Sequence, residues 1–216
     1  MNILPRDKQI AVIAALCDGL GILPCPGSLA STVLATQPIN PVETPAKRRS
    51  RFKVIQGDLL NCGALERVLE GQDVVLSGFG PRLPISKDDR NLLGNFARAL
   101  TREMVARRIQ RAVVVSTAFL FKDAIIPPAH LVGRLFFPCV VSDAADMEDV
   151  IVSTTLDWTL VRPPRLTGEQ RTGRYRSSEG HLPLFGFATS RADVADFMIK
   201  SAEGHLASRE IIGVCN

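Results

Sequence analysis

The sequence predicts a single α/β domain in which a parallel sheet is covered by helices on both faces. Two observations carry this prediction. Short runs of Val, Leu and Ile alternate along the chain with segments of helical spacing, which is the pattern of successive βαβ units. Of the 216 residues, 46% are hydrophobic but only 6% are aromatic. Such a composition suits aliphatic strands that are buried on both faces, and it excludes a disordered chain.

The regular pattern begins at Phe52. FKVIQGD (52–58) predicts a strand, ALERVLEG (64–71) a helix that stops at its glycine, and DVVLSGFG (73–80) a second, buried strand. Residues 88–108 predict a long helix with one apolar face. That face comprises Leu93, Phe96, Leu100 and Met104.

The second half of the chain continues the alternation after a proline-rich, irregular stretch. Three further strands are predicted, at 112–119, 158–164 and 209–214. A helix is predicted at 143–154. Another follows Ser190, which forms a capping box with Asp193.

The beginning of the chain departs from this pattern. IAVIAAL (10–16) predicts a first strand and SLASTVLAT (28–36) a first helix. The glycines between them lack the spacing of a phosphate-binding turn, and prolines interrupt them. The expected second strand is reduced to QPINPVE (37–43), which prolines also interrupt. We therefore divide the chain into an atypical segment, 1–44, whose first βαβ unit is degenerate or replaced, and a regular domain, 45–216.

The chain carries a formal charge of +4 and five singly spaced cysteines. The mild charge fits an anionic small ligand and does not by itself indicate nucleic acid. No Cys or His spacing indicates a metal site, and dispersed thiols are typical of the reducing cytoplasm, where we expect the protein. The apolar run at 10–16 lacks the cleavage pattern of a signal peptide, and no apolar stretch is long enough to span a membrane.

Ligands of such sheets bind beyond the carboxyl ends of the strands. The residues that follow the predicted strands are therefore the informative ones. They are Asp58, Gly78 to Gly80, Ser116 to Phe119, and Pro163 to Arg165.

Five blocks of the sequence resemble a known family. They are VIQGDLLN, GQDVVLSGFGP, VVVSTAFLF, DMEDVIVSTTLDWTLVRPPRLTGEQRTGRYR and SRADVADFMI. In order and spacing they are similar to the atypical short-chain dehydrogenase/reductases. These proteins have a Rossmann-like, doubly wound sheet. The closest groups are the NmrA-like proteins and the biliverdin reductase B (flavin reductase) type. The resemblance covers residues 45–216.

The resemblance implies a site for NAD(P)H that is built from four segments. They are Asp58 and Leu59 along the adenine; Gly78, Phe79 and Gly80 under the adenosine and phosphates; Ser116, Thr117, Ala118 and Phe119 beside the nicotinamide; and Pro163, Pro164 and Arg165 over the nicotinamide end. Small residues let the backbone approach a cofactor, and a hydroxyl can bond the carboxamide or a substrate. Ser116 and Thr117 are therefore the candidate catalytic residues.

The sequence lacks the Tyr-x-x-x-Lys pair that many relatives use as general acid and ribose ligand. The matching positions hold Val140 and Ala144. This implies direct hydride transfer to a flavin-, quinone- or tetrapyrrole-like acceptor. Tyr175, the only tyrosine, is interpreted as structural. The basic cluster Lys47–Arg51 follows the expected second strand, where a 2′-phosphate would bind, and so favours NADP(H) over NAD(H).

Other interpretations remain open at this level. The chain is alternatively a non-catalytic, NmrA-like dinucleotide sensor that binds a protein partner, or a degenerate relative with weak cofactor binding. Residues 1–22 also resemble the N-terminal helix of insertion-sequence transposases, with Ile10, Ile13, Ala14, Cys17 and Leu20 on one helical face. Because the rest of that domain is missing, nucleic acid is the least favoured partner and a small-molecule substrate the most favoured.

Overall fold

Helices cover both faces of an eight-stranded sheet in the protein, whose structure is a computed structural model. The structure describes residues 10–14, 31–36, 52–57, 59–60, 62–80, 91–121, 135, 137–204 and 207–216. The strands are β1 Ile10–Ala14, β2 Ser31–Thr36, β3 Phe52–Gly57, β4 Val74–Gly78, β5 Arg111–Val115, β6 Asp157–Arg162, β7 Arg165–Thr167, β8 Arg176–Glu179, β9 Ala188–Ser190 and β10 Glu210–Cys215. The helices are α1 Cys62–Leu69, α2 Leu92–Ala106, α3 Pro138–Val152 and α4 Arg191–Gly204, and a short 3-10 helix spans Ala118–Leu120.

The large sheet has the order β3-β2-β1-β4-β5-β6-β10-β8. Strands β1, β4, β5, β6 and β10 run parallel to their neighbours in this series. A second, two-stranded sheet pairs β7 with β9 in parallel. The predicted doubly wound α/β domain is thus confirmed, and every strand predicted between Phe52 and the C-terminus is present.

Alternate residues of the central strands enter two separate cores, as expected for a sheet that is buried on both faces. On one face, Val75 of β4 and Leu160 of β6 pack with the apolar sides of α1, α2 and α3. On the other face, Val113 of β5 and Val161 of β6 pack with α4, which contributes Phe197. The Val- and Leu-rich strands therefore fix which faces the helices cover.

The N-terminal part of the sheet is where the prediction fails. Strand β2 is antiparallel to both β1 and β3, so Ile10 lies opposite Thr36 and Ala14 opposite Thr32. The helix predicted at 28–36 is wrong for Ser31–Thr36, which extend beside β1. The helical face proposed for residues 1–22 is likewise wrong for Ile10–Ala14, which form a central strand. β8 is also antiparallel to its neighbour β10.

Helix α2 obtains its N-terminal cap from a neighbouring helix. Its preceding residue, Asn91, has a left-handed backbone with φ 60° and makes no capping bond with its side chain. The Asp143 carboxylate of α3 instead accepts from the backbone N–H groups of Leu93 at 2.8 Å and Gly94 at 3.0 Å. Because a carboxylate favours the positive end of a helix dipole, this contact ties α3 to α2.

Two element boundaries differ from the prediction. Helix α3 already begins at Pro138, inside the stretch that was predicted to be irregular, because proline suits the first turn of a helix. The strand predicted at 112–119 ends at Val115 and gives way to the 3-10 helix. Within the part of the chain that the structure describes, no helix is both long and apolar enough to cross a bilayer.

Candidate functional site

Four parallel strands end side by side at one edge of the sheet, which we call the carboxyl edge. The register places Ala14 of β1 opposite Gly78 of β4, and Val115 of β5 opposite Val161, the next-to-last residue of β6. This is the edge at which open α/β sheets bind ligands. The opposite edge, where β1, β4 and β5 begin, is called the amino edge. The four strand ends bring three of the four predicted cofactor segments together.

The segment Gly78–Gly80 leaves room at the end of β4. A Cβ atom built on Gly78 or on Gly80 would have no heavy atom within 4 Å. Phe79 lies between them with its side chain 6% exposed, and its ring packs on Phe96 of α2 at a centroid distance of 4.5 Å. The phenyl ring therefore anchors the loop in the core, and any contact of this loop with a ligand would be made by its backbone.

The segment Ser116–Ala118 runs alongside the end of β6. The Ser116 N–H donates to Val161 O at 2.7 Å, and the Ala118 N–H donates to Pro163 O at 3.1 Å. These bonds place the predicted nicotinamide-side residues next to the predicted loop at Pro163. The Thr117 Oγ1 accepts from the Phe119 N–H at 3.3 Å and so caps the 3-10 helix.

The Ser116 hydroxyl is buried and has no hydrogen-bond partner among the described residues. A hydroxyl in this state costs about 1–3 kcal/mol relative to one that is satisfied. Native proteins leave few such groups, and each one indicates a ligand, a water or a strained site. At the end of a strand on the carboxyl edge, the Ser116 hydroxyl is therefore a candidate ligand-binding atom.

The remaining predicted residues differ in exposure. Pro163 is buried, Pro164 is half-buried, and Arg165 is exposed at the start of β7. The Phe119 ring is half-buried and stacks on Phe137 at 6.0 Å with an interplanar angle of 17°. Stacked rings on this side of the edge form an apolar surface beside Ser116 and Thr117.

The predicted adenine-side pair is only partly described. Asp58 lies outside the described residues. Leu59 is 1% exposed and belongs to the core that packs under α1 to α3. Its side chain is therefore part of the core, and a contact with a cofactor would have to come from its backbone.

A buried ion pair that the sequence reasoning missed supports the end of β6. The Arg162 guanidinium donates from Nε to Glu148 Oε1 of α3 at 2.9 Å, and from Nη2 to Oε2. The Glu148 residue is 5% exposed. The guanidinium also lies 4.7 Å from the ring centroid of Phe121. One side chain thus joins α3, the strand that precedes Pro163, and Phe121, which directly follows the 3-10 helix. The position of Arg162 in the sequence could have indicated this ion pair, because an arginine at the end of an apolar strand needs a buried partner.

Helix α3 holds no acid at the positions of the missing Tyr/Lys pair. Val140 is half-buried and Ala144 is 2% exposed. Neither side chain can transfer a proton. The described residues also contain no group of three or more His, Cys, Asp or Glu side chains arranged to hold a metal ion.

Asp193 connects the start of α4 with two distant segments. Its N–H donates to the Ser190 Oγ at 2.9 Å, as the predicted capping box requires. Its carboxylate accepts from the N–H and hydroxyl of Thr172, from the Gly173 N–H at 2.8 Å, and from the Asn216 side chain at 3.1 Å. Burial opposes ionisation, but these bonds outweigh it and hold the pKa of Asp193 well below its usual range.

Tyr175 lies in a surface cluster with charged residues. Its hydroxyl donates to Asp196 at 3.0 Å and accepts from Lys200 at 3.2 Å, and Arg171 pairs with the same carboxylate at 2.8 Å. Its ring packs edge-on against Phe197 of α4. Burial raises the pKa of Tyr175, the hydrogen bond from Lys200 opposes that rise, and Asp196 adds to it. A phenol with a raised pKa and satisfied partners fits the predicted structural role.

A protein family defined by NAD(P)H binding matches residues 36–204. The chain belongs to the NAD(P)H-binding family. The match spans the three described segments at the carboxyl edge and confirms the family expectation. It begins after residues 1–22, so the resemblance of that segment to a transposase gains no support.

Solved structures agree on the fold. A Burkholderia pseudomallei protein described as exported is 27% identical, with a TM-score of 0.59 over 74% of this chain and 79% of that one. A Streptococcus pneumoniae protein described as an NADH-flavin reductase is 23% identical, with a TM-score of 0.61 over 75% and 79%. A Veillonella parvula short-chain dehydrogenase/reductase of the wide type, solved in complex with NADP, is 19% identical, with a TM-score of 0.59 over 74% and 70%.

The residues fit a nicotinamide dinucleotide unequally along its length. On the side predicted to hold the nicotinamide, the Ser116 hydroxyl, which has no partner among the described residues, and the open backbone at Gly78 and Gly80 suit a carboxamide and a sugar-phosphate chain. On the adenosine side, the fold requires a parallel second strand that ends at the carboxyl edge. Strand β2 ends at the amino edge instead, because Thr36 lies opposite Ile10.

Proposed function

We propose that the protein is an NAD(P)H-dependent reductase that transfers hydride directly to a flavin-, quinone- or tetrapyrrole-like acceptor. The observation that carries this proposal is the buried Ser116 hydroxyl, which has no partner among the described residues. It lies one strand from the open space at Gly78 and Gly80. In a chain of the NAD(P)H-binding family, an unpaired hydroxyl at the carboxyl edge is well placed to bind the cofactor.

Each predicted residue has a physical task in this proposal. Ser116 and Thr117 bond the carboxamide and so orient the ring, while Gly78 and Gly80 let the backbone approach the cofactor. Pro163 limits access of water from the β6 side. When bound, a reduced nicotinamide supplies a hydride. The accompanying proton comes from solvent, because the side chains at the positions of the Tyr/Lys pair are aliphatic.

The preference for NADP(H) and the cytoplasmic location have unequal support. The argument for NADP(H) needs the basic cluster Lys47–Arg51 to follow a second strand at the carboxyl edge. The cluster lies outside the described residues, and Phe52, which follows it directly, lies at the amino edge opposite Thr36. We therefore propose a nicotinamide dinucleotide without that preference. Cys139 and Cys215 are free thiols, which supports the proposed cytoplasmic location.

Titration with NADH and NADPH tests the proposal. Nicotinamide fluorescence reports binding, and loss of the reduced cofactor over a panel of flavins, quinones and tetrapyrroles reports turnover. Ser116→Ala should weaken binding about threefold to tenfold, the value of one hydrogen bond, without lowering the stability of the free protein. Thr117→Val should slow hydride transfer. Ser153→Ala, at the far end of α3, is the matched control and should change neither.

Each possible result has a distinct meaning. Absence of binding at millimolar NADH and NADPH contradicts the proposal. Binding without oxidation across the whole panel indicates the NmrA-like sensor instead. If Ser116→Ala binds as tightly as the wild type, the hydroxyl is not part of the site.

A further inference from the structure

We infer that the protein docks on an anionic membrane surface through an exposed turn between β8 and β9. The turn carries three large apolar side chains, which we call the apolar tip: Leu184, Phe185 and Phe187. They are 71%, 67% and 52% exposed. The inference goes beyond the proposed function and does not depend on it. It describes a protein that lies on the surface of a bilayer.

The fold holds the apolar tip in an outward position. The Gly186 N–H donates to Pro183 O at 3.1 Å, which closes a four-residue turn with Leu184 and Phe185 at its corners. Pro183 and Gly186 are both buried. A Cβ atom on Gly186 would overlap the Sγ atom of Cys215, so the end of the turn packs tightly on β10. The ends of the turn are thus anchored on the sheet, while its two corners project.

Phe185 has a backbone conformation that its side chain does not favour. Its φ is 61°, in the left-handed region that glycine adopts freely and a bulky residue rarely does. Burial of the ring does not compensate for this conformation, because the residue is 67% exposed. A strained backbone that presents an apolar ring to solvent indicates a role in binding, since it contributes nothing to the core.

The apolar tip lies at the carboxyl edge of the sheet. Strand β10 is parallel to β6 and so ends at that edge. Arg176, which begins β8, lies opposite the last residue of β10, and its Nη1 donates to Leu184 O at 2.9 Å. Phe187 directly precedes β9, whose first residue lies opposite Arg165. The tip therefore borders the same edge as Ser116, and docking would bring this edge to the membrane.

Cations flank the apolar tip. Arg165 lies beside the strand that follows Phe187, and Arg174 comes two residues before Arg176 in the chain. Both Arg165 and Arg174 are exposed. The surface of a bilayer that contains anionic lipids attracts such residues and changes affinity about fivefold for each one. The charge beside the tip is thus complementary to an anionic headgroup layer.

A second copy of the chain fits the apolar tip less well than a bilayer does. At their exposures, the three side chains offer roughly 350 Å². Each partner in a stable protein interface buries about 800 Å². Membrane binding requires no matching protein surface, because its strength increases with the apolar area that enters the headgroup region and with attraction to anionic lipids. The size of the patch and its charge therefore both favour a membrane.

Sedimentation of the full chain with lipid vesicles tests the inference. We expect binding to phosphatidylcholine vesicles that contain about one-third phosphatidylglycerol, and binding about tenfold weaker to phosphatidylcholine alone. The double variant Leu184→Ser and Phe185→Ser should weaken binding to the anionic vesicles by about tenfold or more, since it removes most of the inserted apolar area. Val105→Ser, which removes an exposed aliphatic side chain from the far end of α2, is the matched control and should bind like the wild type.

Two further variants separate charge and backbone strain. The double variant Arg165→Ala and Arg174→Ala should weaken binding to anionic vesicles by about tenfold or more and leave binding to phosphatidylcholine unchanged. Phe185→Gly should also bind weakly, yet its melting temperature should not fall, because glycine accepts the left-handed conformation. A melting temperature several degrees lower would mean that the ring serves the fold, which contradicts the inference.

Three other results would overturn the inference. The first is absence of co-sedimentation with anionic vesicles at about millimolar lipid. The second is unchanged binding of the double variant at Leu184 and Phe185. The third is light scattering that shows a wild-type dimer which this variant dissociates, since the tip would then contact a second copy. These assays contain no dinucleotide, so a failure of NADH and NADPH to bind would refute the proposed function and leave the vesicle result standing.

Discussion

Breaking the ion pair between Glu148 and Arg162 should destabilise the protein by about 3 kcal/mol, because removing one partner leaves a buried charge without compensation. Glu148 is 5% exposed and makes both of the charged bonds that Arg162 Nε and Nη2 donate. In Glu148→Gln, the amide oxygen can still accept one of these bonds, but the NH₂ group faces the other donor. This places the effect at the lower end of the usual range of about 3–5 kcal/mol.

Urea unfolding is the appropriate assay, since Trp158 is the only tryptophan and is 5% exposed. Its fluorescence reports the unfolding of the core. In a chain of this size, the expected loss lowers the melting temperature by about 6–12 °C. Asp149→Asn, an exposed neighbour on α3, is the matched control and should stay within about 0.5 kcal/mol of the wild type.

A double variant distinguishes stability from function. Glu148→Gln combined with Arg162→Met removes the orphaned charge and should recover most of the stability. Cofactor binding should be weaker than in the wild type for both the single and the double variant, because the end of β6 and Phe121 lose the side chain that joins them to α3. A Glu148→Gln protein that unfolds within about 1 kcal/mol of the wild type would refute the reasoning, since it would mean that water or another residue satisfies Arg162.

Three further predictions concern other parts of the molecule. Asp193→Asn should cost about 2 kcal/mol at pH 7, because its NH₂ faces donors at a site that is 0% exposed. The folded state lowers the pKa of Asp193, so the wild-type protein loses this stabilisation as the pH falls below about 4. The difference in urea unfolding free energy between the wild type and Asp193→Asn should therefore shrink there, and a constant difference would contradict this. Gly213→Ala should destabilise the protein by about 1–3 kcal/mol, because its Cβ would overlap the backbone at 181–182. Gly78→Ala, whose Cβ would meet nothing, should unfold like the wild type. Equal melting temperatures for the two variants would contradict the packing argument. Burial raises the pKa of Tyr175, so the tyrosinate absorbance of this sole tyrosine should titrate above pH 10. A midpoint at or below the ordinary value would mean that the phenol hydroxyl is exposed to solvent.

Much of the fold follows from local pattern. The apolar runs at 74–78 and 111–115 predicted their strands, and the spacing of Leu93, Phe96 and Leu100 predicted α2, because burial on one face imposes a period that can be read along the chain. The position of Ser116 at a strand end also follows from the sequence. That it has no partner among the described residues does not follow from the sequence, because this depends on every group that surrounds the hydroxyl.

The side-chain partners were beyond the sequence for a related reason. Asp143 was predicted to lie in a helix, yet its cap on Leu93 joins residues that are 50 positions apart. The bonds of Glu148 to Arg162 and of Tyr175 to Asp196 likewise join separate elements. Such contacts depend on how helices are placed against the sheet, which local spacing does not specify.

The sequence by itself determined the family, the βαβ alternation from Phe52 onward, and which residues follow the strands at the carboxyl edge. Only the tertiary structure decided the direction of β2. The segment Ser31–Thr36 has an apolar pattern that allows either a helix or a strand, and its pairing with β1 and β3 makes it an antiparallel strand. Long-range hydrogen bonding thus set the direction of this strand, which local spacing does not specify.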